Sequence, residues 1–61
     1  MKLMTVIDDL RMRKELTRRQ LADYAGISIK RINNDKLLTA RDVCILAKVF
    51  NVQVEFLASL A

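Results

Sequence analysis

The positively charged side chains of this 61-residue chain are concentrated between residues 11 and 31. That segment has seven Lys or Arg residues and two acidic residues, a net charge of +5, whereas the rest of the chain sums to −1. Lys and Arg side chains neutralise phosphates, and a local cluster of them on a small domain is typical of proteins that bind polyanions. The charge distribution therefore predicts a phosphate-binding surface in the middle of the chain.

Two arginines of this segment, Arg18 and Arg19, directly follow Thr17, whose hydroxyl can begin a helix by accepting a hydrogen bond from a free backbone N–H. A cation in the first turn of a helix is unfavourable by roughly 0.3–1 kcal/mol, because the helix dipole favours anions there. A sequence selected for stability alone would have Glu at these positions. Free N–H groups, the positive end of the dipole and two guanidinium groups together form a phosphate site, so this helix start is predicted to bind phosphate.

Residues suited to catalysis or metal binding are scarce. The chain has no His and one Cys, and Asp8 and Asp9 are adjacent on a predicted helix, where they point about 100° apart. Neither a nucleophile–base pair nor two convergent carboxylates is indicated, so we expect no enzyme activity, cofactor, metal or small-molecule ligand. We expect Cys44 to be an ordinary buried residue. No apolar run could span a bilayer and no signal peptide is indicated, which predicts a cytoplasmic protein without membrane contact.

Apolar residues recur at helical spacing along the chain, which predicts a single all-α domain of five helices over residues 1–61. Asp42, three residues after Thr39, can complete a capping box at the start of the fourth helix. The expected N-caps are Thr17, Ser28 and Thr39, and the residues expected to adopt left-handed conformations at helix ends are Gly26 and Asn51. Two short helices joined by a glycine turn are typical of a helix-turn-helix, whose second helix enters the DNA major groove.

Two stretches, "IDDLRMRKELTRRQLADYAGIS" and "LTARDVCILAKVFNVQVEFL", carry a more specific resemblance. Their order of motifs is similar to that of the lambda-repressor and Cro-like helix-turn-helix family: "LT" before the second helix, "LA" within it, a glycine and an aliphatic residue at the turn, then "LAK" and "NV". The resemblance extends from Ile7 to Leu57. It implies a compact five-helix lambda-repressor-like domain in which the second and third helices form the helix-turn-helix.

The resemblance also implies a DNA-binding role for individual positions. Arg18 stands where the family contacts a phosphate. The recognition-helix positions that face base edges are occupied by Ser28, Ile29, Lys30 and Asn34, and Arg31 and Asn33 flank them. Lys30 can donate to guanine O6 and N7, and Asn34 can pair with adenine N6 and N7. Ile29 either meets a thymine methyl group or closes the core. The full set of predicted DNA-binding residues is Thr17, Arg18, Arg19, Ser28, Ile29, Lys30, Arg31, Asn33 and Asn34.

The sequence departs from the family at two places. Asp35 stands where a buried aliphatic residue is expected and the link to the fourth helix is short, so the third helix is predicted to end early and Leu37 or Leu38 to supply the missing core contact. We hypothesise that Asp35 pairs with Arg11. Glu15 replaces the glycine that commonly ends the first helix, so that corner either forms without a left-handed residue or strains a non-glycine.

The C-terminal segment "VQVEFLASLA" has more apolar side chains than one face of a two-turn helix can bury, which indicates contact with another chain. The residues predicted at this interface are Val54, Phe56, Leu57 and Leu60. The family resemblance implies a twofold homodimer whose recognition helices lie about 34 Å apart on a pseudo-palindromic double-stranded DNA operator. We therefore expect a Cro-like repressor. The alternatives are a small antitoxin or antirepressor using the same fold, and a basic amphipathic peptide bound to a membrane surface.

Overall fold

A computed structural model describes residues 2–60, and within them the chain forms five α-helices and no strand. The helices are α1 (Leu3–Arg13), α2 (Arg18–Ala25), α3 (Ile29–Ile32), α4 (Ala40–Phe50) and α5 (Val54–Ala58), with a 3-10 turn at Asp35–Leu37. The prediction of an all-α chain with five helices is confirmed. The third helix ends early, as predicted, since it has only four residues.

The predicted helix starts are confirmed, because the hydroxyl groups of the predicted N-caps accept hydrogen bonds from backbone N–H groups of the first turn. The Thr17 hydroxyl accepts from the backbone N–H of Gln20 at 3.0 Å, and the Gln20 side chain accepts from the Thr17 N–H at 2.9 Å. Thr39 and Asp42 make the same reciprocal pair at 3.1 and 3.0 Å. Ser28 accepts from the third N–H of its helix at 3.4 Å. Each cap satisfies N–H groups that have no partner within the helix.

Three helices end in a left-handed residue, namely Glu15 (φ 57°), Gly26 (φ 71°) and Asn51 (φ 56°). The residue after each of them returns its N–H to a carbonyl five positions back, at 3.0–3.1 Å, which closes a Schellman turn. Gly26 and Asn51 confirm the prediction. At Glu15 the second predicted alternative is correct: the corner forms with a strained non-glycine, a conformation that is unfavourable for L-residues by roughly 1–2 kcal/mol.

Each of the five helices contributes one fully buried large side chain to a single core. Burying such a side chain stabilises a fold by roughly 1.5–3 kcal/mol, so the core fixes how the short helices pack. The four-residue α3 depends on it most, because an isolated helix of that length does not form in water. The five residues are Ile7, Leu21, Ile32, Leu46 and Leu57.

Three details of the packing differ from or refine the sequence interpretation. Leu57, predicted at a dimer surface, is fully buried in the chain's own core and has no surface left for a second chain, so that assignment is corrected. Cys44 is exposed rather than buried, because it lies outside the face of α4 that contains Val43 and Leu46. Of the two candidates after the 3-10 turn, Leu38 packs against the core while Leu37 remains exposed.

No helix within residues 2–60 is both long enough and apolar enough to cross a membrane.

Candidate nucleic-acid interface

Arg18, the first residue of α2, joins the start of that helix to both of its neighbours. Its Nη2 lies 2.7 Å from Oδ2 of Asp8 on α1, and its Nε lies 3.2 Å from Oδ1 of the same carboxylate. Its Nη1 donates to Oδ1 of Asn33, at the end of α3, at 3.2 Å. The fork of the guanidinium group fits this arrangement, because its donors lie in one plane and point in fixed directions. The Arg18 side chain, which is predicted to bind a phosphate, is therefore held in place before any phosphate arrives.

Asp8 is the centre of this cluster. Its carboxylate also accepts from Nε of Arg11 at 3.3 Å, while Nη1 of Arg11 donates to the backbone carbonyl of Leu16 at 2.6 Å. The hydrogen bond from Arg18 is the main reason that the pKa of Asp8 lies below its usual value, although partial burial acts in the opposite direction. The same contact raises the pKa of Arg18. Asp8, Arg11 and Arg18 together carry one net positive charge.

The hypothesis that Arg11 pairs with Asp35 is wrong. Arg11 is engaged by Asp8 and Leu16, and Asp35 instead accepts the backbone N–H of Met4 at 3.1 Å. That N–H lies in the first turn of α1, where no side chain of the helix itself provides a cap. Asp35 thus supplies, from the segment after α3, the carboxylate that favours the start of a helix.

A second arginine, Arg31, fastens α3 to α4. Its Nη1 lies 2.9 and 3.2 Å from the two carboxylate oxygens of Asp42, which is buried and also accepts the Thr39 N–H. Burial raises the pKa of Asp42, but the hydrogen bonds from Thr39 and Arg31 outweigh it and leave that pKa below its usual value. Arg31 was expected to flank the base-contacting residues; its contact with Asp42 gives it a structural role in holding α3.

Arg19 and Lys30 differ from these arginines, because both are exposed and neither takes part in an ion pair among residues 2–60. Arg19 lies in the first turn of α2, and Lys30 lies on α3. They retain their full charge for a polyanionic ligand. Thr17 and Ser28 use their hydroxyl oxygens as helix caps, which leaves each hydroxyl proton able to donate.

The two asparagines after α3 are exposed, and the oxygen of each faces the protein. Asn33 Oδ1 accepts from Arg18 at 3.2 Å, and Asn34 Oδ1 accepts from the backbone N–H of Lys36 at 3.2 Å. Arg and backbone N–H groups only donate, so each contact identifies the amide oxygen, and each NH2 group is left to donate elsewhere. Ile29 is half-buried and packs against the core, which favours the packing alternative for that residue.

Sequence reasoning missed the two carboxylates that organise this surface. The position of Asp8 three residues before Arg11 on one helix was a usable signal, because side chains at that spacing are neighbours. Asp42 was recognised only as a cap. Its contact with Arg31 spans eleven positions and two helices, so no local pattern could reveal it.

Within residues 2–60, no group of three or more His, Cys, Asp or Glu side chains is arranged to hold a metal ion. Comparisons with protein-family models, with curated proteins and with solved structures found no match.

Proposed function

We propose that this chain is a sequence-specific double-stranded DNA-binding regulator of transcription, a Cro-like repressor that binds a pseudo-palindromic operator as a homodimer. In this proposal α2 and α3 form the helix-turn-helix of a lambda-repressor-like domain, and α3 enters the major groove. No enzymatic step is involved, and the protein acts by occupying the DNA.

The observation that carries the proposal is the contact between Arg18 and Asn33. It places the start of α2, where free N–H groups favour phosphate, beside the end of α3. The exposed cations Arg19 and Lys30 belong to the same two helices. A phosphate-binding helix start next to a second short helix with polar exposed side chains is the arrangement that a helix-turn-helix uses on DNA.

Arg19 and Lys30 are proposed to supply most of the electrostatic attraction. The charge of Arg18 is partly neutralised by its ion pair with Asp8, so its main contribution is a fixed geometry. Its guanidinium group is already ordered, so binding a phosphate loses little side-chain entropy. With about six phosphates neutralised per dimer, the logarithm of the binding constant falls with the logarithm of salt concentration with a slope of about −5.

Asn33 and Asn34 are proposed to read bases through their NH2 groups. An amide NH2 donates to guanine O6 or N7, to adenine N7 or to thymine O4. The bidentate pairing of Asn34 with adenine also needs its oxygen, which already accepts from Lys36. The expected preference at these positions is therefore for an acceptor in the major groove rather than for adenine alone.

The test is selection of binding sites from randomised double-stranded DNA with the purified protein, followed by footprinting and by titrations at several salt concentrations. We expect an enriched motif with two half-sites and binding that weakens steeply with salt. Failure to enrich any motif would overturn the specific-regulator proposal. Binding to another protein with little salt dependence, and none to DNA, would favour the antitoxin or antirepressor alternative instead.

A matched pair of variants separates the proposed surface from general basicity. Lys30→Ala should weaken binding to all DNA and reduce the magnitude of the salt slope by about two, because the dimer loses one phosphate contact from each copy. Lys48→Ala removes the same charge from another exposed lysine, near the end of α4, and should leave the slope unchanged. Equal effects of the two substitutions would mean that α3 is not the DNA-contacting helix.

A further inference from the structure

An apolar cavity lies between the outer face of α1 and the side of α5. Its volume is about 470 Å³, and it is lined by Thr5, Val6, Asp9, Leu10, Arg13 and Phe56. Phe56 is 47% exposed although its neighbour in sequence, Leu57, is fully buried. A large ring at the edge of an open apolar cavity leaves surface in contact with water whose burial would be favourable.

The rim of this cavity carries one acidic and one basic side chain from a single helix. Asp9 and Arg13 are both exposed, and Oδ2 of Asp9 lies 3.1 Å from Nε of Arg13. They are four positions apart on α1, or about 6 Å along the helix axis. If two copies of α1 lie antiparallel across a twofold axis, Asp9 of each copy faces Arg13 of the other. The charges are therefore complementary to a second copy of the same surface.

We propose that this cavity is the self-association surface of the chain, with Phe56 of each copy inserted into the cavity of the other and the exchanged Asp9–Arg13 pairs around it. In a twofold contact the same surface must provide both the side chain that projects and the cavity that receives it. Phe56 provides the projecting ring, and the cavity beside it is lined by Val6 and Leu10. The inference rests on the homodimer of the proposed function.

The proposal moves the dimer contact from the predicted C-terminal residues alone, Val54, Phe56, Leu57 and Leu60, to a surface that α1 and Phe56 of α5 form together. Leu60, near the end of the described chain, lines a different cavity of about 560 Å³ with Lys2, Leu3, Asp35, Lys36 and Leu38. Phe56 and Leu60 therefore belong to separate surfaces, and Leu57 belongs to neither. Of these two surfaces, the one with Phe56 combines an exposed aromatic ring with charges that match a second copy.

The experiment is analytical ultracentrifugation of the full chain over a range of concentrations, without DNA. Wild type should dimerise, and Phe56→Glu should remain monomeric. The matched control is Leu37→Glu, which places the same charge at another exposed apolar side chain, 42% exposed, on the 3-10 turn. Leu37→Glu should dimerise like wild type. Equal loss of dimer in the two variants, each shown to be helical by circular dichroism, would overturn the proposed surface.

Charge reversal provides a second test on exposed side chains that do not hold the fold together. Asp9→Arg alone and Arg13→Asp alone each place like charges across the axis, and because the axis repeats every contact, each should weaken dimerisation at least about tenfold. The double reversal, Asp9→Arg with Arg13→Asp, restores opposite charges and should recover most of the affinity. A double variant no stronger than either single one would overturn the pairing.

The outcome for the surface is distinguishable from the outcome for DNA binding. A wild-type chain that stays monomeric at all concentrations but enriches a DNA motif overturns this inference and leaves the DNA-binding part of the function standing. A dimer that responds to these substitutions as expected but binds no DNA supports the surface and overturns the function.

Discussion

Asp42→Asn is the substitution that tests most directly how this fold holds its third helix. The Asp42 carboxylate is buried, caps α4 through Thr39 and accepts two contacts from Arg31 on α3. Asn has nearly the same shape and keeps one oxygen for the Thr39 N–H. The substitution therefore removes mainly the charge-assisted contact with Arg31.

The expected loss of stability follows from that contact. A hydrogen bond to a charged group contributes about 1.5–3 kcal/mol, but the Arg31 side chain is 42% exposed and solvent screening reduces the figure, so we expect about 1–2 kcal/mol. A chain of 61 residues has a free energy of unfolding of about 3–9 kcal/mol. The thermal midpoint should therefore fall by about 5–15 °C.

The assay is thermal and urea denaturation at neutral pH, followed by circular dichroism. The matched control is Asp23→Asn, which removes the same charge from an exposed carboxylate that has no ion pair among residues 2–60. Amide hydrogen exchange should show protection lost first at Ile32, the last residue of α3. If the losses of stability in Asp42→Asn and Asp23→Asn differ by less than about 0.5 kcal/mol, the Arg31 contact neither stabilises the fold nor holds α3 against α4.

Three further predictions concern the ends of helices and the carboxylates of Asp8 and Asp42. Glu15→Gly should raise the free energy of unfolding by about 0.5–1 kcal/mol in urea denaturation, because relief of the left-handed strain exceeds the added entropy of the unfolded chain; lower stability would contradict the strain. Asp35→Ala should lower the free energy of unfolding by about 1 kcal/mol and speed hydrogen exchange at the Met4 amide. Unchanged exchange at Met4 would show that Asp35 does not cap α1. Asp8 and Asp42 have lowered pKa values in the folded chain, so their contribution to stability is complete above their unfolded pKa, near 3.9, and is lost as pH falls through the folded values. The urea concentration at the unfolding midpoint should therefore decrease as the pH is lowered below about 4, and an unchanged midpoint would refute this prediction.

The parts of the fold that could be predicted from the sequence are those fixed by neighbouring residues. Thr17, Ser28 and Thr39 cap helices by bonds to residues three positions away, so their types and spacing were sufficient. Gly26 was predictable for the same reason, since positive φ is least unfavourable for glycine.

The contacts that hold the candidate site together could not be predicted, because they join residues distant in sequence. Asp35 bonds to Met4 across 31 positions, and Arg18 bonds to Asn33 across 15. Hydrophobic spacing also left the choice between Leu37 and Leu38 open, because only the assembled core decides that Leu37 faces outward and Leu38 inward after the short 3-10 turn. The distribution of charge along the sequence indicated the basic region, but it did not indicate that Asp8 and Asp42 hold the arginines of that region.

The cavity that contains Leu60 also contains Lys2 and Leu3, so the two ends of the described chain lie side by side. A short linker from residue 60 to residue 2 would therefore join them without disturbing any helix, provided that new ends are opened in an exposed link elsewhere. Such a circular permutant should keep all five helices and their common core. Retention of the five helices in that permutant would show that the order in which the helices are encoded is separable from the way in which they pack.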